Sequence, residues 1–96
     1  MEIKSGTVEF HVKDHPTMIT ANGSRTFKEF IAFDEHFRHE PTVHLAIQGM
    51  DLINDSNHRV SLGHGEVKHD GFELVFHTWA DTHIYQIAFS WVAYAR

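Results

Sequence analysis

Thirteen Asp and Glu, ten His and no Cys are spread over 96 residues, so the first question is what acid–base or metal chemistry they allow. Two pairings suggest acid–base work, Asp51 with Asp55 and Asp81 with His77, but either needs a cleft that excludes water. A domain of this size offers such a cleft mainly at a subunit interface. No nucleophile elbow, phosphate-cradling loop or metalloprotease signature accompanies them, and the expectation is that the protein is not an enzyme. His11 with His15, or His36 with His39, offers imidazole nitrogen of the kind zinc or nickel takes. The first pair spans a strand end before Pro16 and the second lies in the loop before Pro41. Neither has the alternate-residue spacing that aims two rings at one ion, so these side chains read as solvated and no metal site or cofactor is expected. The lack of cysteine excludes a disulfide framework, thiolate zinc sites and cysteine nucleophiles.

The formal charge of −5, with eight Lys and Arg, provides no basic stripe for a phosphate backbone, which excludes a nucleic-acid partner. No run is long enough to cross a bilayer, and the opening MEIKSGTVEF does not read as a signal peptide. The length suits one domain over residues 1–96. Full protonation of the ten histidines moves the formal charge from −5 to −5 + 10 = +5, so acid acts on any assembly. A small domain without covalent staples commonly gains stability by associating with copies of itself.

The elements that position these residues read as strands. Eight Phe, two Trp and two Tyr favour pleated, half-buried surfaces. Ile3 to Val12 is the first strand, and Asn22-Gly23-Ser24 is a turn because Asn and Gly tolerate positive φ. Arg25 to Phe33 follows, where the spacing of Phe27, Phe30 and Phe33 predicts a twist or bulge. From Pro41 to Gly49, Val43, Leu45 and Ile47 alternate with His44, Ala46 and Gln48. Asn54 to Asn57 is polar loop, and Val60 and Leu62 resume alternation. Next, Phe72, Leu74 and Phe76 point inward while Glu73, Val75 and His77 point out. The last strand, His83 to Tyr94, places Tyr85, Ile87, Phe89 and Trp91 on one face. No window of helical length shows 3.6-residue periodicity. The fold class expected is all-β, an antiparallel sandwich or barrel of about six strands paired mainly with sequence neighbours and through Greek-key crossings.

Taken in order, Pro41-Thr-Val-His-Leu-Ala-Ile-Gln-Gly-Met-Asp51, His58-Arg59-Val60, Gly71-Phe72-Glu-Leu, Thr78-Trp79-Ala-Asp81-Thr82, Tyr85 and Ser90-Trp91-Val-Ala resemble the H-type lectin domain. That domain is found in snail agglutinins and at the C-terminus of slime-mould discoidins. The resemblance covers almost the whole chain, including Ser5-Gly6 and the Phe33…Phe37…Pro41 run. It implies a six-stranded antiparallel β-sandwich, an H-type lectin-like fold, assembled as a homotrimer or doubled to a homohexamer. It further implies calcium-independent sites between protomers for N-acetylgalactosamine or galactose.

Carried over residue by residue, Arg59 matches the pocket arginine, whose planar fork donates to two adjacent hydroxyls and stays charged. Trp79 lines the site from the neighbouring subunit; as a large ring at a strand end, it reads equally as core or subunit contact. Tyr85 is also supplied across the interface, and a core ring beside Ile87 and Phe89 is its rival reading. Asn22 falls where the family has an aspartate, with Gly23 and Ser24 beside it, and a plain β-turn accounts for the same residues. Ala80 stands where the snail lectins carry a histidine near the acetamido group, which favours plain galactose or broader specificity. Asn22-Gly-Ser24 and Asn54-Asp-Ser56 both read as glycosylation sequons.

The expected function is a lectin that recognises glycans ending in galactose or N-acetylgalactosamine, in cell adhesion, agglutination or glycan recognition. It implies extracellular or cell-surface action. The alternative is a trimerisation module of a larger adhesin or tail-fibre-like protein without an active sugar site.

Overall fold

The pattern of apolar residues along the chain builds two facing sheets. A computed structural model describes residues 1–54 and 57–96; Asp55 and Ser56, and with them the Asp51–Asp55 pair and the second sequon, lie outside the described residues. The elements are β1 (Glu2–His11), α1 (Thr17–Thr20), β2 (Arg25–Ala32), β3 (Thr42–Leu52), β4 (Ser61–Val67), β5 (Gly71–Thr78) and β6 (Ile84–Ala95). They form two three-stranded antiparallel sheets, ordered β1-β6-β3 and β2-β5-β4. This is the expected six-stranded antiparallel β-sandwich. The pairing differs from expectation, because among the described pairings β4–β5 alone joins sequence neighbours. Their short connection closes with the Lys68 amide donating to the Gly71 carbonyl at 2.8 Å. β5 and β6 carry the most regularly buried apolar residues and take the two central positions, leaving the other strands at the edges.

The core is aromatic. Phe72, Leu74 and Phe76 of β5 face Ile87, Phe89 and Trp91 of β6, as their alternation predicts. The Phe76 ring stacks on Phe27 at 4.8 Å and meets Phe10 edge-on at 4.9 Å. Such pairs add about 0.5–1.5 kcal/mol each to the burial of their area. Near the opposite end of the core, Phe33, Phe37, Phe72 and Trp91 pack together. There Gly6 is required by contact, since a Cβ on it would lie 2.9 Å from the Trp91 indole. The single turn α1 was not legible as a helix. It follows Pro16 and buries Met18 completely.

Two expectations on register are corrected. β2 pairs with β5 without any shift, so the three Phe residues do not mark a bulge. Phe27 points in, Phe30 is exposed, and the strand ends before Phe33 turns into the core. The irregularities fall in β3, in β4 and where Leu52 of β3 meets Ile84 of β6. That last shift leaves Tyr85 opposite no β3 residue, so Ile84 and Ile87 are both fully buried while Tyr85 is 42% exposed. Tyr85 therefore does not share the inward face of Ile87, Phe89 and Trp91.

Candidate functional site

The connection from β5 to β6, Trp79 to His83, gathers the residues singled out in the sequence. Ala80 sits in it at φ +59°, a left-handed conformation that costs a non-glycine residue roughly 1–2 kcal/mol. Its carbonyl accepts from the Gly23 amide at 2.8 Å and from the Arg25 guanidinium at 3.2 Å. Gly23 occupies a φ of +83° that suits glycine.

Arg25 is buried against carbonyls. Its guanidinium donates to Gly23, Thr17 and Ala80, tying α1, the turn before β2 and the Ala80 turn together. Burial lowers its pKa, yet a guanidinium titrating ordinarily at about 12 or above remains charged. Beside it, His83 Nε2 lies 3.0 Å from Asn22 Oδ1. An amide oxygen only accepts, so the imidazole donates and the NH2 of the exposed Asn22 is its remaining donor.

On the other side of β5, two buried threonines hold Arg59 in place. Thr78 Oγ1 donates to the Arg59 carbonyl at 2.6 Å, and the Arg59 amide donates to Thr82 Oγ1 at 3.0 Å. Thr82 in turn donates to the Asn57 carbonyl at 2.7 Å. The Arg59 side chain, one-third exposed, donates from Nη1 to Asp81 Oδ1 at 3.0 Å. Asn57 Nδ2 reaches the same oxygen at 3.5 Å. Partial desolvation raises the Asp81 pKa, but hydrogen bonds from backbone amides, Asn57 and Arg59 outweigh it and hold the carboxyl below its usual value.

Trp79 and Tyr85 bracket this connection and are 38% and 42% exposed. The Trp79 ring stacks on His77 with centroids 5.5 Å apart. His77 lies within hydrogen-bond distance of Ser24 and Thr26, at 3.2 and 3.0 Å. Asn22-Gly23 leads into β2 and Arg59 leads towards β4, the two strands flanking β5. Two strand spacings, about 10 Å, separate those approaches.

Asn22, Gly23 and Arg59 are thus bonded to one connection that Trp79 and Tyr85 enclose. His77 and Asp81 do not pair: His77 is bonded to Ser24 and Thr26, and Asp81 to Arg59 and Asn57. Among the described residues no group of three or more His, Asp or Glu is placed to hold a metal ion. His15 packs its ring against Phe10 and Phe27 instead of standing in solvent. Sequence reasoning missed the roles of Asp81, His83, Thr78 and Thr82. The Thr78…Thr82 spacing around Trp79 was the available signal.

The two-sheet sandwich thus carries an arginine, an amide and exposed aromatics around one connection. The chain belongs to the H-type lectin domain family, whose model matches residues 28–94; this is a family of carbohydrate-binding lectins. Discoidin II of Dictyostelium discoideum shares the fold. Its wild-type structure superposes with a TM-score of 0.84 at 23% identity, over 96% of this chain and 35% of that one. A second discoidin II structure also gives 0.84, at 24% identity over 96% and 36%. This chain spans about a third of the discoidin chain. A protein of Fuscovulum blasticum described as "ATP synthase subunits region ORF 7" is 32% identical over 80 residues, 83% of this chain and 70% of that protein. No helix among the described residues is long and apolar enough to cross a membrane.

Proposed function

We propose that the protein is a calcium-independent lectin that binds terminal galactose or N-acetylgalactosamine through sites between copies of the chain. Each site takes Asn22, Gly23 and Arg59 from one protomer and Trp79 and Tyr85 from the next, in a trimer or hexamer. The observation that carries this reading is the Arg59 guanidinium. Its backbone is fixed by two buried threonines and one nitrogen is held by Asp81, while a third of the side chain stays open to a ligand. A pre-positioned fork donates to two hydroxyls at little entropic cost. Trp79 and Tyr85 supply aromatic surface for the C–H face of a sugar and are exposed enough to reach a neighbouring copy.

Such a site is shallow and its hydroxyl contacts exchange water for protein at small net gain, so single-site affinity is weak. Several sites on one assembly raise avidity by orders of magnitude on a dense glycan surface. Adhesion, agglutination or glycan recognition outside the cell is the corresponding role.

One observation favours the second reading, an assembly module without a sugar site. Ile3 and Val92 lie exposed on the outer face of the β1-β6-β3 sheet, with Ile47 and Met50 exposed along β3. A glycan array combined with measurement of the oligomer mass separates the two. Signal from terminal galactose or N-acetylgalactosamine on a trimer or hexamer supports the lectin, and a silent array from a well-formed trimer supports the module.

A further inference from the structure

The five residues of the proposed site are rich in donors and short of acceptors. Arg59 only donates. The Asn22 oxygen already accepts from His83. The Gly23 amide is spent on the Ala80 carbonyl, and the Gly23 carbonyl already accepts from Arg25. A sugar hydroxyl is both donor and acceptor, and burying it without an acceptor forfeits part of what its bonds to water supply. The acceptors left among the five, the second lone pairs of the Asn22 and Gly23 carbonyls and the Tyr85 hydroxyl, are all neutral, so the site still needs a charged acceptor, which forms the stronger bond.

We propose that Asp81 is that acceptor, and that Arg59 and Asp81 together clamp a vicinal diol on one edge of the sugar ring. This rests on the lectin reading. The Asp81 carboxylate lies 3.0 Å from Arg59 Nη1 and its side chain is half exposed. An ionised carboxylate offers about four lone-pair positions, so bonds to Arg59 and Asn57 leave capacity for a ligand. A vicinal diol presents two neighbouring oxygens, each of which accepts from one group and donates to another. An arginine fork beside a carboxylate meets both requirements, and the pairing holds the fork in place before the ligand arrives. Asp81 thus serves twice, as a direct acceptor and as the positioning residue for Arg59. The charged acceptor lies on the β5–β6 connection, whereas position 22 carries a neutral amide.

The test is calorimetric titration of methyl galactoside and its monodeoxy variants into the wild-type protein, Asp81→Asn and Arg59→Ala, with oligomer mass and melting recorded for each. Asp81→Asn removes charge and one acceptor oxygen, and affinity for the parent galactoside is expected to fall roughly ten-fold or more. The decisive readout is the cycle between protein and sugar. The wild type should discriminate against the deoxy sugar that lacks the hydroxyl bound by Asp81, and Asp81→Asn should lose that discrimination alone. If Asp81→Asn weakens every sugar by the same factor, or leaves the parent unaffected while Arg59→Ala abolishes binding, the Asp81 assignment is overturned and the lectin reading stands. A wild type that binds no galactoside overturns both. Should Asp81→Asn change the mass or the melt, Asp81→Glu takes its place in the same cycle. It keeps the charge but displaces it, and undiminished discrimination against the deoxy sugar then overturns the assignment.

Discussion

Thr78, itself fully buried, donates from Oγ1 to the part-buried Arg59 carbonyl at 2.6 Å, so the end of β5 fixes the backbone of a residue nineteen positions earlier. Thr78→Val keeps the shape and removes the donor. A buried carbonyl that loses its partner costs about 1–3 kcal/mol. A loss of 1 kcal/mol lowers the melting temperature of a domain of this size by roughly 4–8 °C. Thr78→Val is expected to melt at least that much lower at fixed protein concentration. Its sugar affinity should fall as well, since Arg59 is no longer pinned.

Arg59→Ala should abolish sugar binding while the oligomer mass stays unchanged. Arg59→Lys should not rescue it. Lysine keeps the charge but replaces a planar fork with a point donor, which cannot hold Asp81 and a diol in one geometry. Full binding by Arg59→Ala on the same glycan array would remove Arg59 from the site.

Ala80 concerns both stability and selectivity. At φ +59° glycine is unstrained, and Ala80→Gly is expected to raise unfolding free energy by roughly 0.5–1 kcal/mol, after glycine's own entropic cost is subtracted. A β-branched residue at this position should destabilise the fold. Histidine is among the residues that enter the left-handed region more readily than most. Ala80→His should therefore fold and, by supplying a polar ring beside an acetamido group, shift the preference from galactose towards N-acetylgalactosamine. Competition between the two free sugars measures it.

How much of this was legible in the sequence depended on how far each feature is local. The inward rows Phe72-Leu74-Phe76 and Ile87-Phe89-Trp91 follow directly from period-two alternation, and the six strands come with them. The sheet order does not, because the choice of central strands is made by packing between sheets rather than by any one strand. Tyr85 was misplaced for a related reason. Alternation counts residues, and the extra residue where β6 meets the end of β3 breaks the count at that position. The spacing of Phe27, Phe30 and Phe33 was read as a twist or bulge, whereas β2 runs in regular register and ends at Ala32, before Phe33. At the site, Arg59, Trp79 and Tyr85 stood out by type and by family resemblance. Asp81 and His83 act through contacts with residues 22 and 61 positions away, respectively, which no local spacing reveals.

Gly6 tests the packing of the far end of the core. A Cβ there would lie 2.9 Å from the Trp91 indole, which is already pressed between Phe33 and Phe72. Gly6→Ala forces the indole or β1 to move, and overpacking of this kind costs typically about 1–3 kcal/mol. Urea unfolding should show a lower midpoint with an unchanged slope, and the site residues, which cluster around the β5–β6 connection, should keep their sugar preference.

The pH dependence of binding follows from the groups that face the sugar. The Asp81 carboxyl has a depressed folded-state pKa, so its charge and the Arg59 pair are fully present above the ordinary carboxylate value of about 3.9 and are lost as the pH falls through the lower folded value. Monosaccharide affinity should therefore stay flat from pH 8 to about 5 and collapse only below about 4. Agglutination need not follow the same curve, because ten histidines gain charge on the way down and act on the assembly. Titration of methyl galactoside alongside the oligomer mass at each pH separates the two effects. A loss of monosaccharide affinity near pH 6 with the mass unchanged would assign the control to a histidine instead of Asp81.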